Sequence, residues 1–105
     1  MKEYQNYRSW NAWNVCLWLD NDEKLYTMGK EVVDMVKENY IRNPITGEIF
    51  DDNKKIKMAT SMIYDRIHGL DFRCITRTPD GGKFNRLSIR TWVAEQFEEE
   101  VAYED

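Results

Sequence analysis

SWNAWNVCLWLDNDEKLY, residues 9–26, is the stretch from which the fold is read. Ser9 is placed to cap a helix running to about residue 19, in which Trp10, Trp13 and Leu17 recur at i, i+3 and i+7. Val15, Trp18 and Leu19 widen that stripe past half the girth of the helix, which marks the segment as the packing hub of a small domain. Asp20 with Glu23 three residues on is a capping-box pattern. It starts a second helix, 21–41, whose face is Leu25, Gly29, Val32, Val36 and Tyr40, extended by Met28, Val33 and Met35.

Working outward, Pro44 ends that helix and Thr46-Gly47 turns between two short apolar pairs, a small hairpin pattern. The helical period returns through Ile56, Ala59, Ile63 and Ile67, giving a third helix at 53–68 with Gly69 just past its end. His68, in its last turn, suits a carbonyl-capping or dipole-complementing role. Leu70, Phe72, Cys74 and Thr76 then alternate with Asp71, Arg73, Ile75 and Arg77, the period of a half-buried strand with Ile75 as the exception, and Pro79-Asp80-Gly81-Gly82 turns it back at Lys83-Phe84. Ser88 is positioned to cap a last helix, 88–103, with Leu87 stapled to Trp92 and a stripe of Ile89, Trp92, Val93, Phe97 and Val101. The expected fold is mainly α: one compact four-helix domain over 1–105, with a short β-hairpin in 70–86. At 105 residues and 13% aromatics, including four tryptophans, the chain builds one core and not two.

Charge is segregated along the chain. Residues 52–90 carry nine basic side chains against four acidic ones, whereas 91–105 carry six acidic ones and no base; the whole chain is at −4. The two segments either neutralise each other in the fold or present a dipolar surface to a partner. No apolar run approaches the length needed to cross a bilayer, and Met1-Lys2-Glu3-Tyr4 leads into no secretory signal, so a cytoplasmic protein without membrane attachment is expected. Cys16 and Cys74 lack CxxC spacing and a nearby histidine pair, so two buried thiols are expected, and no metal or cofactor.

Signatures of catalysis are missing: no GxSxG, HExxH, P-loop or GxGxxG occurs. Asp80-Gly81-Gly82-Lys83 reads as a hairpin turn in preference to a phosphate cradle, and Asp20, Asp22 and Glu23 read as a helix cap in preference to a cation site. A binding protein is therefore expected, not an enzyme. Trp10-Asn11 and Trp13-Asn14 repeat one helical turn apart; Trp13 suits the core, while Trp10 and Trp18 cannot both share its stripe. The partner-binding surface expected on these grounds is Trp10 and Trp18 with Glu95, Glu98, Glu99 and Glu100 of the acidic last helix. The alternative is nucleic-acid binding through Lys54, Lys55, Lys57, Arg73, Arg77, Lys83 and Arg86, with Phe72 or Phe84 stacking on a base. Surplus aromatic surface also suits a homodimer.

The run NYRSWNAWNVCLWLDNDEKLY, Asn6 to Tyr26, resembles the opening of small uncharacterised proteins of tailed bacteriophages and other mobile elements, which begin with an NYxTWNVxLWLxNDExxLY-like pattern. Trp13, Asn14, Val15, Leu17, Trp18, Asn21, Asp22, Glu23, Leu25 and Tyr26 carry the match, echoed weakly by Thr78-Pro79-Asp80-Gly81. The chain departs from the pattern by inserting Trp10-Asn11-Ala12 before Trp13. The resemblance implies a phage accessory protein that binds a host protein, inhibiting or redirecting a defence or nucleic-acid-processing factor in the host cytoplasm.

Overall fold

The computed structural model of the chain describes residues 9–38 and 44–103, without the side chains of 71 and 99–103. It is a four-helix domain: α1 (Trp10–Asn21), α2 (Glu23–Glu38), α3 (Asp52–Ile67) and α4 (Arg86–Tyr103). Each helix packs on its two neighbours in the order α1, α2, α3, α4 and back to α1. The expected extension of α2 to residue 41, with Tyr40, lies outside the described residues, as does the side chain of Val101.

The helix starts follow side-chain chemistry. Ser9 Oγ accepts the Ala12 N–H at 3.1 Å, as its position predicts, and Asp51 accepts from Lys54 N–H at 3.0 Å. Two caps differ from expectation. Asp22, and not Asp20, caps α2 by accepting from Leu25 N–H, which leaves the Asp20 carboxylate free to take the Trp92 indole N–H at 2.7 Å. Asn85, itself a good capping residue, starts α4 earlier than Ser88 by accepting the Ser88 N–H at 2.9 Å. Leu87 is consequently exposed on the first turn and does not staple to Trp92.

The buried face of α1 is Ala12, Val15, Cys16 and Leu19, at i, i+3, i+4 and i+7. The expected stripe is the other edge: Trp10 is 41% and Leu17 36% exposed, and Trp13 is half-buried. Both stripes are apolar, so periodicity alone could not choose; the small residue Ala12 and slim Val15 let α2 and α4 approach closely where indoles would hold them apart. In α2, Leu25, Met28, Val32, Val33 and Val36 are buried as predicted, but Met35 is exposed. Ala59, Ile63 and Ile67 of α3 and Ile89, Trp92, Val93 and Phe97 of α4 complete the core.

Trp92 pins the centre. It is fully buried, its Nε1–H reaches Asp20 at the end of α1, and its ring crosses the bundle to α2, where a Cβ built on Gly29 would lie 2.8 Å from Cη2. Gly29 is the seat for the indole.

The expected strand through residues 70–77 does not form. Leu70–Phe72 is a single 3-10 turn, Arg73 and Cys74 both take left-handed backbone (φ 58° and 55°), and Leu70 is 87% exposed. The Gly69 carbonyl accepts from Phe72 and Cys74 N–H, so the segment wraps on itself. What remains of the hairpin is one bridge, Arg77 to Lys83, because a single short return segment offers no further strand to pair with. Cys16 is buried as expected, whereas Cys74, lifted out by the 3-10 turn, is exposed. His68 Nδ1 lies 2.8 Å from the Tyr64 carbonyl, the carbonyl-capping role that its position predicts.

Candidate functional site

The Trp-Asn repeat of α1 and the Pro-Asp-Gly-Gly-Lys turn meet in one hydrogen-bonded clasp. Thr78 accepts the Gly82 N–H at 2.9 Å and donates its hydroxyl to Asn14 Oδ1 at 2.5 Å; Asn14 Nδ2 donates to Asp80 at 3.0 Å. Trp18 Nε1 donates to the same Asp80 oxygen at 2.9 Å. One turn earlier, Asn11 accepts the Lys83 N–H at 2.6 Å, and its amide lies within reach of the Lys83 carbonyl and Ser88 Oγ. Asn14 is 1% exposed, so its amide is deep in the fold and has partners on both its oxygen and its nitrogen. Donation by Asn14 and then Trp18 holds the Asp80 carboxyl below its usual range. Gly81 needs its φ of 100°, and a Cβ on Gly82 would strike Asn14 Oδ1 at 2.7 Å.

This geometry settles what the turn is for. Gly81 N–H goes to the Thr78 carbonyl, Gly82 N–H to the Thr78 hydroxyl and Lys83 N–H to Asn11. All three amides that a phosphate cradle needs are used inside the fold. The clasp joins α1 to the connection before α4 through Asn11, Asn14 and Trp18.

Of the expected partner-binding residues, Trp10 is exposed and its ring lies 6.5 Å from Trp13, tilted by 51°. Trp18 is half-buried with its N–H on Asp80. Glu95 is half-buried and its charge falls on Cys16, whose thiol is pushed far up first by burial and then by Glu95 and Asp20. Glu98 is exposed; the side chains of Glu99 and Glu100 lie outside the described ones.

The seven basic residues of the alternative are spread over α3, the connection before α4 and the first turn of α4. Lys83 and Arg77 flank the clasp, with Arg77 donating to the Gly81 carbonyl, and Arg73 follows the 3-10 turn. Lys54 stands 5.2 Å over the Phe50 ring. Phe72 and Phe84 are buried against the core, and Lys24 stands 4.7 Å over the Phe72 ring. Lys57 and Arg86 do converge, across α3 and α4, with Ser61 and with Arg90, a residue outside the expected set. The signal for Arg90 was its i, i+4 spacing from Arg86 on one helix face.

Among the described residues, no group of three or more His, Cys, Asp or Glu side chains is placed to hold a metal ion, and no helix is long and apolar enough to cross a membrane. Asp20 and Asp22 serve Trp92 and the α2 cap instead.

Four helices locked by a polar clasp, with an apolar edge and a basic groove left at the surface, define a small all-α domain. The chain belongs to the Family of unknown function (DUF7249), whose model matches residues 1–104. No curated protein and no solved structure matches it.

Proposed function

We propose that this chain is a non-catalytic binding protein, a phage-type accessory factor that engages a host protein in the host cytoplasm and inhibits or redirects a defence or nucleic-acid-processing function. The observation that carries the reading is the outer edge of α1. Trp10 and Leu17 stand on it 41% and 36% exposed, although the opposite edge already supplies the core. The half-buried Trp13, tilted against Trp10, holds the exposed indole in a defined orientation. Tryptophan is among the residues most enriched in binding hot spots, and an exposed one braced by a neighbour loses little side-chain freedom on docking. Glu98, exposed near the end of α4, adds negative charge that steers a basic partner. The resemblance of residues 6–26 to phage and mobile-element proteins supports the provenance.

The test is capture of partners from host lysate with and without nuclease, comparing the wild type with Trp10→Ser and Leu17→Ser. Loss of a Trp contact of this kind costs about 2 kcal/mol or more of binding, roughly thirtyfold, with the thermal midpoint little changed. A nuclease-resistant partner retained equally by both variants removes α1 from the account. Partners lost on nuclease treatment shift the function to nucleic acid.

A further inference from the structure

We infer that the groove between α3 and the first turn of α4 is a binding site for a phosphoryl group. The groove has a volume of about 330 Å³ and is lined by Lys57, Thr60, Ser61, Arg86, Leu87 and Arg90. These bring together three cations and no carboxylate. The volume is at the small end of the range of ligand sites, which suits one tetrahedral oxyanion with part of what it is esterified to.

Three independent features point to an anion. Thr60, only 5% exposed, has a hydroxyl with no hydrogen-bond partner, the one such buried side-chain atom among the described residues. A buried hydroxyl left unpaired costs stability, and a groove ligand toward which the Thr60 side chain turns its closed-off hydroxyl relieves that cost. Arg86 is already held in place: its guanidinium donates to Ser61 Oγ at 2.9 Å and lies 4.4 Å over the Tyr64 ring. Ser61, accepting from Arg86, keeps its own proton to donate. Thirdly, Arg86 is the first residue of α4, at the positive end of its macrodipole where a cation is disfavoured, and Arg90 adds a second charge one turn on. Like charges concentrated there with Lys57 make a field that a dianion neutralises, and arginine forks match phosphate oxygens in pairs. This site is separate from the α1 edge and stands or falls without it.

The experiment is a titration followed by amide chemical shifts, at fixed ionic strength balanced with chloride. Inorganic phosphate is the first probe, carried to about 50 mM, past the millimolar range within reach of so small a ligand. Saturable shifts at the amides of 57–61 and 86–90 are expected. Thr60→Val, which changes no charge, should weaken phosphate by about tenfold while leaving the fold intact, because it deletes a hydrogen bond to a charged group. Arg90→Gln should weaken it at least as much, and Lys54→Gln, outside the groove, should not. A second pair of probes, a short single-stranded oligonucleotide with and without a 5′-phosphate, identifies the source. Binding at these amides that needs the 5′-phosphate assigns a terminal phosphomonoester; equal binding of both assigns a backbone phosphate. Shifts that never saturate, that match those from chloride, or that Thr60→Val leaves unaltered overturn the site.

Discussion

Gly29→Ala sets two known effects against each other at one position. Alanine in place of glycine inside a helix is worth about 1 kcal/mol in favour of the folded state. Here the added methyl would sit 2.8 Å from Trp92 Cη2 and 2.9 Å from Cζ3, well inside contact distance. The indole cannot simply retreat, since it is fully buried and tied to Asp20 through a 2.7 Å hydrogen bond. Overpacking of this kind costs about 1–3 kcal/mol, so the substitution should destabilise by about 1 kcal/mol net and lower the melting midpoint by some 4–8 °C. Trp92→Phe removes the ring atoms nearest Gly29. In that background Gly29→Ala should turn neutral or stabilising, and a double-mutant cycle by urea unfolding should show a coupling of about 1–2 kcal/mol. A single variant more stable than the wild type, or a cycle with no coupling, would refute the idea that Gly29 exists to seat Trp92.

Asn14→Ala leaves the nearly buried Thr78 hydroxyl without its acceptor, so a loss of about 1–3 kcal/mol is expected in urea unfolding, together with faster amide exchange at Gly82. The Asp80 carboxyl titrates below its usual range in the folded state, so its contribution is present above the unfolded value of about 3.9 and is lost as pH falls through the lower folded value. Asp80→Asn should therefore be less stable than the wild type at neutral pH, with the gap closing under acid; a gap independent of pH would show that the charge plays no part. Cys74 should react with a thiol reagent in the native protein, while Cys16, buried and with its thiol pushed up, should react only on unfolding. Equal labelling rates would contradict the assigned face of α1.

The helices were legible because their determinants are local. Ser9 caps, the Leu25–Val36 face and the Ile56–Ile67 period each lie within one element, and each element formed around them, with α2 starting from Asp22 in place of Asp20. The Thr78–Lys83 turn was equally plain, since Gly81 meets a conformational demand that holds whatever packs nearby, whereas the need for Gly82 comes from Asn14 of α1. So was the concentration of positive charge in residues 52–90.

Tertiary structure decided whatever depended on a choice between equals. α1 is apolar on two edges, and only the approach of α2 and α4 showed that Ala12, Val15, Cys16 and Leu19 face inward while Trp10 and Leu17 stay out. The alternation at 70–77 lacked a partner strand, and a strand has no hydrogen bonds of its own to make without one. Asn11 and Asn14 gained their meaning from a turn more than sixty residues away. The basic groove likewise exists because α3 and α4 pack side by side, bringing Lys57, Thr60 and Ser61 to Arg86 and Arg90. Periodicity reports which residues share a face; which face meets which neighbour is fixed by close packing across the whole chain, and that is not written in any one segment.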